Sequence, residues 1–191
     1  MRPTALAVLA LALTASSLAI HAQSATPAHA AVDVTAADLR ATLKQAPPEG
    51  VMDQQIRVVD IGKYNVAIGA LHRAAKSKQT AIEHAQVTEI YYIIEGSGTF
   101  VTGGAMVDPT PSPADGTTVK ILVGPSTNGA SIRGGQSRKI GPGDVIVIPP
   151  GVPHWFSAME ADMNYLVVRV DADHVLPSGY VNPNLTRTAA R

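Results

Sequence analysis

Two histidines and a glutamate are the residues of this sequence whose types and spacing best suit chemistry. His84 and Glu89 stand with four residues between them, and His154 follows the run Pro149-Pro150-Gly151-Val152-Pro153. Neutral imidazoles and a carboxylate brought together from different strands can hold one divalent metal ion, with iron, manganese, zinc, nickel and copper all suited to such a donor set. Three protein ligands leave coordination positions open for water, substrate or oxygen, which catalysis needs and a closed structural site lacks. With no cysteine in the chain, thiolate ligands and a cysteine nucleophile are excluded. His72 is the candidate further ligand, because it shares one face of a strand with Val66, Ile68 and Ala70 by period two. The plainer alternatives are a surface His–Glu pair, an ordinary histidine after a proline-rich turn, and a strand-end His72 facing solvent beside Arg73.

Short strands must do the positioning. Thr35-Ala36-Ala37-Asp38 reads as a helix start, with Thr35 as cap, and Pro47-Pro48 ends that one short helix. From Ile56 the pattern changes to β-branched and apolar runs parted by Gly and Pro turns: Ile56–Ile61, Tyr64–Leu71, Ile82–His84 with Thr88–Ile94, Thr99–Thr102, Val119–Val123, Ser131–Ile140, Val145–Ile148, Trp155–Ala158 and Asn164–Val170. Many short strands of this kind indicate an all-β barrel or sandwich. The gap between His84 and Glu89 breaks strand parity, so a bend or bulge at Gln86-Val87-Thr88 is expected if both are to face inward. By parity with Glu89 and His154, Tyr91, Ile93 and Phe156, together with Phe100 and Ile82, would line the cavity, and plain core packing is the alternative for them. Trp155 should face away. Asp144 should hold the turn Gly141-Pro142-Gly143-Asp144. The insert over 104–129 is long for a hairpin and could either cover the cavity mouth or be a surface loop.

The two motifs resemble the signature motifs of the cupin superfamily. His84, Glu89 and Gly96 match the second His, the Glu and the closing Gly of the first motif, whereas Ile82 stands at its first His and Lys76 at its leading Gly. Gly143, Pro149, Gly151 and His154 match the second motif, whose terminal Asn is Ala158 here. The resemblance covers Ile56 to Val170. It implies a double-stranded β-helix (jelly-roll) barrel with the motif side chains turned inward around one divalent metal, and, by analogy, a homodimer. The superfamily spans dioxygenases, isomerases, decarboxylases, oxidases and non-catalytic binding proteins, so membership does not name a reaction. A dioxygenase-like oxidoreductase acting on a small oxygenated substrate is the leading expectation, since two His and one carboxylate is the usual non-haem iron set. The alternatives are a non-catalytic small-molecule-binding barrel and a sugar or polyol isomerase.

Composition narrows the partners. Fifteen basic and fifteen acidic residues give no net charge, and the basic ones are scattered, so a nucleic-acid partner has no electrostatic support. The cluster Arg73, Lys76 and Lys78 reads as a solvated loop. Arg2, the apolar run Ala5–Leu13 and the small residues after it resemble a secretory signal over residues 1–24, with cleavage expected between 22 and 30. The expectation is therefore a periplasmic or secreted protein with no membrane segment after cleavage. Residues 25–55 would form a lead with the short helix, 56–171 the barrel, and 172–191 an extended tail.

Overall fold

The computed structural model describes residues 30–185, and the expected signal segment lies outside them. The first element, α1 (Ala36–Leu43), opens on a reciprocal cap. The Thr35 hydroxyl accepts from the Asp38 amide at 3.1 Å, while the Asp38 carboxylate accepts from the Thr35 amide at 3.0 Å. Two otherwise orphaned donors are thereby satisfied. The helix stops ahead of Pro47-Pro48 and leans on the outside of the first two strands. Among the described residues no helix is long and apolar enough to cross a membrane.

Thirteen strands follow: β1 (Val51–Asp60), β2 (Asn65–Arg73), β3 (Ala81–His84), β4 (Val87–Glu95), β5 (Gly98–Thr102), β6 (Ala105–Val107), β7 (Thr110–Pro111), β8 (Ser126–Gly129), β9 (Ser131–Arg133), β10 (Gln136–Ile140), β11 (Val145–Ile148), β12 (His154–Met159) and β13 (Met163–Asp171). They form two facing antiparallel sheets, one ordered β1-β2-β13-β4-β11 and the other β10-β5-β12-β3-β8-β7, with β6 and β9 as a separate small ribbon. This is the all-β double-stranded β-helix, with one short N-terminal helix. Its inward face is layered along β13, where Met163, Tyr165, Val167, Arg169 and Asp171 are buried in alternation.

At one end Met163, Tyr165 and Val167 pack with Ile93, Phe100, Ile146, Ile148 and Phe156 into a solid apolar core. At the other, Asp171 accepts from Asn65 Nδ2 at 3.1 Å and from the amides of Val175 and Leu176, both at 2.9 Å. Those bonds turn the tail back over the barrel end, where Leu176 buries against Val58 and Ala67. Burying a leucine contributes about 1.5–3 kcal/mol. Asn182 Nδ2 then ties the tail to Gln54 Oε1 at 2.9 Å and to the Gln55 carbonyl at 3.0 Å. The polar layer between these ends holds the candidate site.

Three local expectations are corrected. The barrel strands begin at Val51, five residues before Ile56. Residues Gln86–Thr88 hold no bulge. The chain instead bends at Ala85-Gln86 and crosses from the β3 sheet to the β4 sheet, with the Ala85 amide bonded to the Pro125 carbonyl at 2.9 Å. The expected strand Val119–Val123 is a π-helical turn, Thr118–Val123. An apolar run this short does not declare its period, and Gly124, at φ +68° and ψ −163°, ends the turn in a conformation that suits glycine. Trp155 does face away from the lumen, opposite in parity to His154 and Phe156, and packs on the outer side against Ala81, Val101 and Ile132 while its Nε1 donates to the Gln79 carbonyl at 3.1 Å.

Candidate metal centre

His84 ends β3, Glu89 lies in β4 on the opposite sheet, and His154 opens β12. All three are buried, and each offers one donor atom within 4.8 Å of the other two. Glu89 Oε2 lies 3.2 Å from His84 Nε2 and 3.4 Å from His154 Nε2. An ion with ligands about 2.1 Å away sets its donors roughly 3.0 Å apart at right angles and roughly 3.4 Å apart at tetrahedral angles. Both distances from Glu89 fall in that window.

The hydrogen bonds behind the rings fix which nitrogens face inward. The Val152 carbonyl can only accept, so His154 Nδ1–H donates to it at 3.1 Å. Ser126 Oγ gives its proton to the Gly124 carbonyl at 2.9 Å, so it accepts from His84 Nδ1–H, also at 2.9 Å. In the neutral rings both Nε2 atoms therefore carry lone pairs. Burial pushes the His154 pKa below its usual value, and the hydrogen bond to Glu89 only partly opposes it. For Glu89, burial acts to raise the pKa, but in the acid range where the carboxyl titrates the then protonated His84, the Arg169 charge and the bonds that protonated rings donate outweigh it and hold the carboxyl well below the usual range. Two lone pairs and an ionised oxygen thus converge, an arrangement that a cation answers. The donor set fits a divalent metal.

Glu89 is held from two further sides. Tyr91 donates its hydroxyl to Oε2 at 2.7 Å and lies 3.3 Å from His154 Nε2. Burial, reinforced by the Glu89 charge, pushes this phenol well above its ordinary pKa, so it remains a donor. On the other side Arg169 Nε donates to Oε1 at 2.9 Å, leaving Oε2 as the oxygen turned to the imidazoles. Arg169 is itself buried and clamped by Gln55 Oε1 at 2.9 Å and Asp53 Oδ2 at 2.5 Å. Its room comes from Gly69, where a Cβ would stand 2.9 Å from the Gln54 carbonyl and 3.3 Å from Arg169 Nη1. Asp53 Oδ1 and Gln55 Nε2 are buried without partners. Each such atom costs about 1–3 kcal/mol, offset in part by the charge-assisted bonds of Arg169.

A cavity of about 340 Å³ opens over this layer. Of the expected lining, Tyr91 and Ile82 are in its wall, whereas Ile93, Phe100 and Phe156 pack beneath it as core. They do have the inward parity, but the aromatic rings close on one another, with Phe100 and Phe156 centroids 4.7 Å apart. Ile82 pairs in register with His154, so an aliphatic side chain occupies the wall where another ligand could reach. His72 is not with the other ligands. It faces the outside of β2 and bonds Asn164 Oδ1 through Nδ1 at 2.8 Å, while its neighbours Leu71 and Arg73 take the cavity face. The small residues Ala67 and Gly69 share that inner face, which is why the bulkier Val66 and Ile68 turn outward. Arg73 is correspondingly no solvated loop residue. The insert contributes Thr118, Leu122 and Val123 to the wall and so covers part of the mouth.

A protein-family model described as Cupin matches residues 82–188, a span that includes all three metal-facing residues. The chain belongs to the cupin family. Among curated proteins, none matches it. Among solved structures, this cupin is similar to the EutQ protein of Clostridium difficile, at 16% identity over 64% of this chain and 69% of that one, with a TM-score of 0.36. It is also similar to the DMSP lyase DddQ from Ruegeria pomeroyi, at 21% identity over 60% and 45% of the two chains and a TM-score of 0.37. Oxalate decarboxylase from Bacillus subtilis gives 18% identity over 65% and 26% and a TM-score of 0.39. This cupin spans less than half of the lyase and about a quarter of the decarboxylase. Likenesses of this size say nothing about its substrate or reaction.

Sequence reasoning missed Arg169, Ser126, Asp53 and Gln55, and it misplaced Arg73. For Arg169 a signal was present: it falls in step with Tyr165 and Val167 on a strand whose alternation puts them inside.

Proposed function

We propose that this cupin is a metal-dependent oxidoreductase of dioxygenase type, acting on a small oxygenated substrate bound in the cavity. The observation that carries the reading is the convergence of His84 Nε2, His154 Nε2 and Glu89 Oε2 with no proton assigned between them. A redox-capable divalent ion held by two imidazoles and one carboxylate would supply Lewis acidity and leave positions open to substrate and oxygen. The chain's own residues do the rest. Ser126 and Val152 orient the imidazoles, Arg169 keeps Glu89 to one inward oxygen, and Tyr91 holds a proton beside it. Leu71, Ile82, Leu122 and Val123 supply the apolar part of the cavity wall.

Elemental analysis of purified protein, followed by oxygen uptake against phenolic and diketone substrates, tests this reading. Stoichiometric metal that is lost in His154→Ala, with oxygen consumption, is expected. Protein that carries no metal and whose melting ignores iron, manganese, zinc, nickel and copper would remove it. The second reading, a binding module without turnover, is favoured by Ile82 standing where a further ligand could reach. Ligand-induced thermal stabilisation without product would select it, and substrate trials would separate a sugar or polyol isomerase from both.

Assembly and address belong to the same proposal. Val145, Val147 and Tyr92 are 62%, 61% and 46% exposed on the outer face of β11 and β4. Among the described residues β11 pairs only with β4, so its other edge is free. A second copy pairing across a two-fold axis would cover both features. Light scattering at the monomer mass would remove the dimer. Export follows the leader read at residues 1–24, and N-terminal sequencing of periplasmic or secreted protein tests it.

A further inference from the structure

The geometry points to a small carboxylic acid as the ligand of the cavity, with Arg73 as the residue that reads its carboxylate. This rests on the reading above only in treating the cavity as a ligand site. Two guanidinium groups approach it, and they are bound very differently. Arg169 is sealed in and faces two carboxylates, Glu89 and Asp53. Arg73 is part-buried in the cavity wall and, among the described residues, has no carboxylate within ion-pair distance.

The neighbours of Arg73 position it without neutralising it. One face of the guanidinium lies 4.7 Å from the centroid of the Phe156 ring. Nε donates to the Tyr165 hydroxyl at 2.8 Å and Nη1 to Gln79 Oε1 at 3.0 Å. Both acceptors are uncharged, since burial pushes the Tyr165 phenol up to about 12. Nη2 has no acceptor among the described residues. A cation held this firmly and left without a counter-ion carries a desolvation cost that an anion relieves. A guanidinium fork presents parallel donors that suit the two oxygens of a carboxylate.

Charge at the cavity favours the same ligand. Arg73 and Arg169 balance Asp53 and Glu89, so these four side chains sum to zero. A divalent ion at the centre would leave two positive charges in excess, which an acid offsets and a neutral molecule does not. Two wall carboxylates, Asp53 and Glu89, would repel an acid, and both are engaged by Arg169, through Asp53 Oδ2 and Glu89 Oε1. The remaining polar wall groups, Thr80, Thr118 and Asn128, are neutral. With Val51, Leu71, Ile82, Leu122 and Val123 opposite them, the cavity suits a short aliphatic body on the acid.

Calorimetric titration with matched acids and amides tests this, using glycolate against glycolamide and butyrate against butyramide. Each pair is run on full-length protein, metal-free and manganese-loaded. In wild type at least one acid should bind about tenfold or more tightly than its amide. On metal-free protein the preference should vanish in Arg73→Gln and persist, weakened, in Arg73→Lys, whose lysine keeps the charge but not the fork. Manganese affinity, read in the same titrations, should not be lost in either variant. Should Arg73→Gln fail to fold, Arg73→Lys still decides: an acid preference left at full strength there overturns the assignment of the fork. Acids and amides that bind alike in wild type, or a preference that survives Arg73→Gln on metal-free protein, overturn the inference while leaving the metal centre standing. Absence of manganese binding in wild type would sink the metal reading instead, and the acid–amide comparison on metal-free protein would still judge Arg73.

Discussion

Arg169 Nε donates to Glu89 Oε1 at 2.9 Å, so the one carboxylate of the metal-facing set shares its two oxygens between a fixed cation and the two imidazoles. The pair is buried, and Arg169 also compensates Asp53. Replacing it by leucine leaves two carboxylates without their cation. Breaking a buried pair in this way costs roughly 3–5 kcal/mol. Arg169→Leu should therefore melt well below wild type when metal-free. Manganese should recover more of that loss than it adds to wild type, because the ion replaces the charge facing Glu89. Denaturation with and without manganese reads both effects, and equal stabilisation of the two proteins would contradict the coupling.

Ile82 offers a gain-of-ligand test. It pairs in register with His154 and lies two residues before His84 on the same face of β3. Ile82→His should bring a third imidazole to the centre and tighten manganese binding by about tenfold or more, equivalent to about 1.4 kcal/mol. It should also remove one open position and slow any turnover that uses it. Competition against a chelator gives the affinity. An unchanged value would mean that residue 82 does not reach the ion.

The parts of this site that could be read in the sequence were those tied to turn chemistry and strand parity. Gly143, Pro149 and Gly151 punctuate the approach to His154, and Glu89, Tyr91 and Ile93 do share the inward face of β4. Parity, however, says which residues share a face and not which face is inside. That is how His72 came to be grouped with the ligands, although the crowded lumen takes the small residues Ala67 and Gly69 and turns His72 outward. Parity is equally silent on which sheet a strand joins, so a crossing at Ala85-Gln86 looked like a bulge. Arg169 was hidden for a related reason. Leu166, Val168 and Val170 make the outer face of β13 as apolar as the inner one, and an arginine in such a strand reads as the solvent-facing residue.

The insert gives a prediction that separates cavity from metal. Leu122 lies in the wall of the main cavity and also in that of a smaller neighbouring one, of about 120 Å³, bordered by Asp53, Gln55 and Asn182. It belongs to the π-helical turn ended by Gly124. Leu122→Trp should fill space above the centre, weaken small-molecule binding by about tenfold or more and leave manganese affinity near wild type. Loss of manganese binding together with the ligand would mean that the turn supports the centre and does not merely cover it.

Acid should weaken the metal-free fold in two steps of the same sign. Burial depresses His154 below its ordinary 6.5, so just under that pH the unfolded chain holds a proton that the native ring refuses. Stability then falls as pH drops below about 6.5 and stops falling at the lower native value. For Glu89 burial opposes ionisation, but His84 and Arg169 prevail and the native carboxyl titrates well below 4.5. Its contribution is complete above the unfolded value and is lost as pH falls through the native one. Manganese should add a further dependence, since protons compete with the ion for the same Nε2 lone pairs. Urea midpoints taken between about pH 8 and pH 4 measure these losses. In His154→Gln the upper step should shrink, because that substitution removes the ring responsible. A wild-type midpoint that stays flat between about pH 7 and pH 5 would show that His154 is not a buried neutral imidazole, and the lone pair assigned to its Nε2 would go with it.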